Sequence, residues 1–110
     1  MATWETLCEN TQFRTLYYRG KSQVHPALVT YVRPNRLGYP RVGITSGKKV
    51  GGAVRRNRSR RVIRAAFLPL FPQVGGYDIV FVARVRTPEC KSHQLSVVMA
   101  DQLKKLGVLP

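Results

Sequence analysis

Residues 48–64 read KKVGGAVRRNRSRRVIR, and the helix that this stretch predicts organises the rest of the chain. Gly51 and Gly52 open the helix, and prolines on both sides of Leu70 end it near that residue. At 3.6 residues per turn, the apolar residues share one side: Val62, Ile63, Ala66, Phe67 and Leu70. The other side carries Asn57, Arg60, Arg61 and Arg64, with Arg58 at the margin. One side therefore suits a protein core, and the other is a charged surface.

The charged side consists of arginine rather than lysine. Six arginines and no lysine occur between Arg55 and Arg64. A guanidinium group forms paired hydrogen bonds with phosphate oxygens and stacks on bases, which an ammonium group does not do. Lys48 and Lys49 precede the two glycines, where a helix N-terminus offers further N–H donors to a phosphate. The ordered glycine-lysine pattern of a nucleotide-binding P-loop is absent.

The net charge of the whole chain indicates a polyanionic partner. It is +14, with a pI near 11.0, and no acidic residue occurs between Asn10 and Tyr77. Fourteen of the nineteen basic residues lie in that interval. A basic amphipathic helix can also lie on an anionic membrane or bind a calmodulin-like partner, but here its apolar side is needed for the core. Charge alone does not separate RNA from DNA.

The remaining pattern predicts a single α+β domain over residues 1–110, of order α-β-β-α-β-α. A first helix is capped at Asn10 or Thr11 and ends near Gly20. The predicted strands are Ala27 to Arg33 and Tyr39 to Ser46, paired as a hairpin, then Tyr77 to Val85 as a central strand, with Lys21 to Val24 as a possible short edge strand. The last helix is capped by Ser92 and ends at Gly107, and its apolar stripe is Leu95, Val98, Met99, Leu103 and Leu106.

The chain shows the features of a cytoplasmic protein. No apolar run is long enough to span a membrane, and the first residues lack the basic and apolar regions of a signal peptide. Cys8 and Cys90 form neither a CxxC pair nor a Cys/His metal spacing, so both are expected to be reduced thiols.

Three aromatic residues indicate a second surface. Phe13 and Tyr17 lie one helical turn apart, and Tyr31 lies on one face of its strand. Aromatic side chains beside basic residues stack on unpaired bases, each contributing about 1–3 kcal/mol. The flanking basic residues Arg14, Arg19 and Lys21 favour that role, although each aromatic side chain also suits an ordinary core.

Longer motifs resemble the protein subunit of bacterial ribonuclease P. The paired lysines Lys48-Lys49 precede Gly51-Gly52-Ala53-Val54, then Arg56-Asn57-Arg58 and the further basic residues Arg60-Arg61 and Arg64. The match extends to Phe13 and Tyr17 before Gly20, the strand Arg41 to Ile44, and the segment Asp78 to Arg84. Two features depart from the family pattern: Gly52 replaces a common asparagine, and Met1 to Asn10 carries Glu5 and Glu9 without a basic residue.

The resemblance implies both a fold and a function. The fold is a sheet with a left-handed β-α-β crossover, like that of ribosomal protein S5 domain 2, with the basic helix as the crossover helix. Such proteins bind a large catalytic RNA and assist removal of the 5′ leader from precursor tRNA. The residues implied to contact the catalytic RNA are Lys48, Lys49, Arg55, Arg56, Asn57, Arg58, Arg60, Arg61 and Arg64. Those implied to hold the leader are Phe13, Arg14, Tyr17 and Tyr31.

The residues themselves offer no protein catalytic centre. His25 and His93 are the two histidines, and the five acidic residues are scattered, so no acid–base pair or two-metal carboxylate site emerges. The resemblance implies that the RNA carries the chemistry, with Mg²⁺ held mainly by RNA phosphates rather than by a protein site. The implied partners are the catalytic RNA and precursor tRNA, without a membrane or an obligate protein partner. A structural ribosomal protein, a free-standing ribonuclease and a DNA-binding module remain the alternatives.

Overall fold

The computed structural model describes residues 4–7 and 9–110, and Cys8 therefore lies outside the described residues. In chain order the elements are β1 (Glu5–Thr6), α1 (Asn10–Arg19), β2 (Lys21–His25), β3 (Leu28–Pro34), β4 (Arg41–Thr45), α2 (Ala53–Phe67), β5 (Tyr77–Ala83) and α3 (Ser92–Lys105). Short 3-10 turns at Lys48–Val50, Phe71–Gln73 and Thr87–Glu89 lie between them. The predicted α+β order is confirmed, including the edge strand β2.

Strand β5 is the centre of a five-stranded mixed sheet of order β1-β4-β5-β3-β2. Its residues Ile79, Val80 and Phe81 are fully buried, because both faces of the strand are covered. It runs parallel to β4 and antiparallel to β3, and β1 extends the sheet parallel to β4. The predicted central strand is thus confirmed.

The predicted hairpin between β3 and β4 is wrong, because β5 lies between these two strands. The connection after Pro34 passes over the beginning of β5 instead of forming a tight turn. Asn35 attaches it there, since its backbone N–H donates to the carbonyl of Gly76 and its Nδ2 donates to Asp78 Oδ1. A strand that is apolar on both faces gains most from the central position. There β5 lies between β3 and β4, which are consecutive in the sequence.

Most of the core lies between one face of the sheet and the helices α2 and α3. Ile63, Ala66 and Phe67 of α2 and Leu95, Met99, Leu103 and Leu106 near α3 are buried there. Val62 and Leu70 are half-buried against this core, and Val98 is half-buried on α3. The two predicted apolar stripes therefore face the sheet, as expected.

Helix α1 packs on the opposite face of the sheet, around a smaller cluster of Leu7, Leu16 and Val80. It is followed by Gly20, where a Cβ atom would lie 2.5 Å from the carbonyl oxygen of Leu16 and 2.8 Å from that of Val32. Any larger residue would push the helix end away from β3. Glycine at this position therefore allows α1 to join β2 without an intervening loop. The close contact fixes the direction in which α1 crosses the sheet.

The helix boundaries differ slightly from the predicted ones. The N-cap of α1 is Glu9 rather than Asn10 or Thr11, and the N-cap of α3 is Lys91 rather than Ser92. Helix α2 ends at Phe67, with a turn from there to Leu70, because Pro69 interrupts the backbone pattern. Gly107 has a φ of +80°, which suits its predicted role at the end of the last helix.

A buried polar network joins α3 to the sheet, and the sequence pattern did not indicate it. Gln102 is 3% exposed; its Oε1 accepts from Thr30 Oγ1 at 2.6 Å, and its Nε2 donates to the carbonyl of Leu28 at 2.9 Å. These bonds satisfy polar groups that would be costly to bury alone. In the described chain, no helix is long and apolar enough to cross a membrane.

Candidate RNA interface

The outward face of α2 is a surface of uncompensated guanidinium groups. Asn57, Arg60, Arg61 and Arg64 are exposed and, with Val54, line one open cavity of about 630 Å³. Arg60 Nη1 donates to Asn57 Oδ1 at 3.0 Å, and no acidic side chain lines the cavity. We call this face the outward arginine face. The predicted two-sidedness of the helix is present, with arginines outside and Ile63, Ala66 and Phe67 inside.

Two arginines of the same helix are engaged by the protein itself. Arg55 donates from Nε to the carbonyl of Val50 at 3.0 Å and from Nη2 to that of Val85 at 3.1 Å, and it lies 3.6 Å from Glu89 Oε1. Arg58 donates from Nε to the carbonyl of Pro88. These bonds fix the first half of α2 to the segment after β5. Helical periodicity did not reveal the contacts with Val85, Pro88 and Glu89, because these residues lie about thirty positions farther along the chain.

The beginning of α2 is open toward solvent and flanked by lysines. Lys48 and Lys49 are exposed on the 3-10 turn, and Gly51 adopts a φ of +134°, a conformation that favours glycine. The N-cap Gly52 provides no side chain to cap the helix. The first N–H groups of the helix therefore lack a side-chain cap, and two lysines lie close by in the sequence, a combination that favours an anion.

Arg56 differs from its neighbours. It is half-buried, and its Nε is enclosed without a hydrogen-bond partner among the described residues. It lies three residues before the buried Ser59, so it belongs to the inward margin of α2. The family resemblance implied that Arg56 contacts RNA together with the outward arginines, whereas the structure places Arg56 at the edge of the core.

The aromatic residues predicted to bind unpaired bases lie together at the junction between α1 and the sheet, which we call the cleft. The rings of Tyr17 and Tyr31 meet edge to face, with centroids 4.9 Å apart. Tyr17 is 41% exposed, whereas Phe13 and Tyr31 are half-buried against the α1 cluster. Arg14 is exposed on α1. The aromatic side chains thus serve partly as core and partly as surface.

The sheet adds an apolar floor beside this cleft that the motifs of the sequence did not indicate. Val29 of β3 pairs with Val82 of β5 on one side and with Val24 of β2 on the other. All three share the face of Tyr31, and Val24 is 68% exposed. The period-two alternation around Tyr31 is the signal that identifies them.

The same face of the sheet carries an ion pair near the beginning of β4 and β5. Arg41 donates from Nε and Nη2 to the two carboxylate oxygens of Asp78, both at 2.8 Å. The hydrogen bond with Asp78 raises the pKa of Arg41, and a hydrogen bond with Glu5 raises the pKa of Tyr39. Arg41 is therefore already paired within the sheet and is not a free phosphate ligand.

The typical metal-ligating side chains are dispersed in the part of the chain that the structure describes. No group of three or more histidine, cysteine, aspartate or glutamate side chains comes together in residues 4–7 and 9–110. Acidic residues instead engage arginine or lysine in three ion pairs. The described residues therefore offer no cluster of the carboxylate ligands that Mg²⁺ prefers.

Comparison with known proteins identifies the family. The family model for ribonuclease P matches residues 1–107. The chain belongs to the ribonuclease P protein family. The family functions as the protein subunit of ribonuclease P in tRNA 5′ maturation.

Relatives and solved structures agree with this assignment. The ribonuclease P protein component of Clostridioides difficile is 38% identical over 104 residues, covering 93% of this chain and 91% of the relative. The ribonuclease P protein of Staphylococcus aureus superposes with a TM-score of 0.85 at 28% identity, covering 98% of this chain and 100% of that one. The ribonuclease P protein of Thermotoga maritima has a TM-score of 0.80 at 28% identity, with coverage of 92% and 96%.

The close approach of Phe13 to Gly43 predicts that this glycine sets the position of α1. A Cβ at Gly43 would lie 2.6 Å from the Phe13 ring, so we expect Gly43→Ala to destabilise the fold. The expected cost is about 1–3 kcal/mol of unfolding free energy. Urea denaturation followed by circular dichroism measures it. Gly47→Ala is the matched control, because no atom lies within 4 Å of its added methyl group. Equal midpoints for the two variants would contradict this packing.

Proposed function

We propose that this chain binds the catalytic RNA of ribonuclease P through the outward arginine face and holds the 5′ leader of precursor tRNA in the cleft of Tyr17 and Tyr31. The observation that carries the proposal is the outward arginine face itself. It combines Arg60, Arg61 and Arg64 without any acidic neighbour in one cavity. Such a concentration of like charge is unfavourable in the free protein and favourable against phosphates.

The geometry supports RNA contact by the outward face more strongly than by the whole basic segment. Lys48 and Lys49 are free to meet phosphates at the beginning of α2, and Asn57 adds a polar group that can donate and accept. Arg55 and Arg58 direct at least part of their donors to protein carbonyls. Arg55 and Arg58 therefore offer an RNA fewer free donors than Arg60, Arg61 and Arg64 do.

The exposed ring in the cleft favours a single strand over a duplex, because unpaired bases are the ones that stack on an aromatic side chain. Tyr17 exposes part of its ring beside Arg14, and the half-buried Tyr31 holds that ring edge to face. A base stacked on a ring that is already held in place loses little side-chain entropy on binding. The valines on the floor extend the apolar surface beneath such a strand.

The protein would assist the reaction without supplying its chemistry. We propose that the catalytic RNA cleaves the precursor, and that Mg²⁺ would be held mainly by RNA phosphates, where it would supply Lewis-acid chemistry. This chain would bind the leader and reduce phosphate repulsion between the two RNAs. It would act in the cytoplasm and needs no obligate protein partner.

The first test of the proposal is precursor cleavage at low Mg²⁺. Addition of the chain to its cognate catalytic RNA is expected to raise the cleavage rate, because protein cations replace part of the metal that screens phosphate repulsion. The effect should fade as the Mg²⁺ concentration rises. Cleavage that is unchanged by the protein would favour a structural RNA-binding protein, such as a ribosomal one, and cleavage by the protein alone would indicate a free-standing ribonuclease.

Removing charge from the outward arginine face should weaken RNA binding. We expect the double variant Arg60→Ala/Arg64→Ala to reduce affinity for the catalytic RNA. We also expect it to flatten the dependence of log affinity on log salt by about 0.7–0.9 units for each phosphate that the variant no longer neutralises. Filter binding over a range of salt concentrations measures both quantities.

The matched control for that variant is Lys104→Ala/Lys105→Ala, which removes the same charge from the end of α3. Its salt dependence should remain close to that of the unchanged protein. If both variants lose affinity equally, net charge rather than the outward arginine face governs binding. Tighter binding to duplex DNA than to structured RNA would instead support a DNA-binding module.

The cleft predicts a leader-dependent effect of Tyr17. Tyr17→Ala should weaken binding of precursor tRNA to the assembled ribonucleoprotein by about 1–3 kcal/mol, the contribution of one stacked base. Binding of mature tRNA, which lacks the leader, should not change. Tyr18→Ala is the matched control, because Tyr18 is 87% exposed on the same helix and makes no described ring contact. An equal loss for mature and precursor tRNA would place the leader elsewhere.

A further inference from the structure

A second basic cavity lies on the other side of Arg61, between α2 and the beginning of α3. It has a volume of about 380 Å³ and is lined by the cations Arg58, Arg61 and Lys91, together with Cys90 and Ser92. No acidic side chain lines it, and Arg61 and Lys91 form no ion pair in the described part of the chain. We call it the α2–α3 cavity. The sequence pattern did not bring Lys91 together with the arginine segment.

The walls of this cavity are held by bonds to the rest of the fold. Arg58 Nε donates to the carbonyl of Pro88, which joins α2 to the turn before α3. Within that turn, Thr87 Oγ1 donates to the carbonyl of Ala27 and accepts from the N–H of Arg84, both at 2.7 Å. The Arg58 side chain and the backbone segment that precedes Lys91 are therefore held in place before any ligand arrives, which lowers the entropy lost on binding.

The electrostatics of the α2–α3 cavity favour a polyanion. Three cationic side chains meet at the N-terminal end of a helix of fourteen residues, whose dipole adds positive potential there. Arg61 lines both this cavity and the one on the outward arginine face. A nucleic-acid backbone bound on the outward arginine face can therefore continue past Arg61 into the α2–α3 cavity and remain on positively charged surface.

We propose that the α2–α3 cavity binds a backbone phosphate of the same RNA that contacts the outward arginine face, with Lys91 as an additional ligand. This proposal rests on the proposed function, since it extends the footprint of that RNA across α2 to the beginning of α3. Arg58 acts from within the cavity while its Nε remains bonded to Pro88. Arg61 joins the two phosphate contacts.

The salt dependence of RNA binding tests the role of Lys91. Lys91→Ala should lower the affinity for the cognate catalytic RNA about two- to fivefold, the effect of one exposed charge pair. It should also reduce the slope of log affinity against log salt by about 0.7–0.9. Lys104→Ala removes the same charge from an exposed position at the other end of α3 and should leave the slope unchanged. Equal slopes for Lys91→Ala and the unchanged protein would overturn the proposal.

The thiol of Cys90 provides a second test that leaves Lys91 in place. Cys90 lines the cavity and is half-buried, so an alkylating reagent reports whether the cavity is covered. A Cys8→Ser variant leaves Cys90 as the one thiol that can react. In this variant, saturation with catalytic RNA should slow alkylation of Cys90 by about tenfold or more, because enclosed thiols are inert. Alkylation at the same rate in the bound and free protein would contradict occupancy of the cavity.

The two proposals fail in different ways. If the unchanged protein does not bind the catalytic RNA, or if Arg60→Ala/Arg64→Ala binds as well as the unchanged protein, the proposed function itself is wrong. If that double variant loses affinity while Lys91→Ala keeps its slope and Cys90 remains unprotected, the RNA contacts the outward arginine face alone. Circular dichroism of each variant identifies any loss that results from unfolding.

Discussion

Helix α2 packs against the sheet through a narrow strip, and this constraint determines most of what the molecule presents to its surroundings. Ser59, Ile63, Ala66 and Phe67 are the residues of this helix that are buried. The other residues of this helix are exposed or half-buried. Because the apolar strip anchors the helix, the arginines on the remaining surface can be held close together although they repel one another.

The strip in turn depends on β5. Phe67 packs on Phe81 with ring centroids 5.3 Å apart, so the end of α2 rests on the middle of the central strand. Both strands that flank β5 in the sheet are paired with it along most of their length. The helix, the central strand and the two neighbours thus form one unit, and displacement of β5 would move the outward arginine face with it.

Local periodicity was sufficient to predict the helices, the central strand and the outward arginines, because each follows from the spacing of apolar residues in a single element. It failed for the pairing of β3 with β4, since the competitor for that pairing, β5, lies more than thirty residues farther along the chain. It also failed for Gln102, whose partners Thr30 and Leu28 are remote in sequence. Contacts of this kind depend on where elements meet in three dimensions.

The same limit applies within the basic segment. In composition Arg55, Arg58 and Arg61 are alike, yet the carbonyls of Val85 and Pro88 accept from the first two, and no carbonyl accepts from the third in the described structure. Composition identifies how many guanidinium groups a surface has, but tertiary contacts decide which of them remain free.

The free and the engaged arginines depend on each other. Arg55 and Arg58 fix the direction of α2 relative to the segment after β5, and Arg60, Arg61 and Arg64 then face outward together. In the described chain, three ion pairs neutralise basic side chains, and none of them involves this outward set. The free protein therefore retains the repulsion among these groups, which phosphates of a bound RNA would relieve. Because ligand binding to the folded state stabilises it, the residues that weaken the isolated fold are the ones that would strengthen the complex.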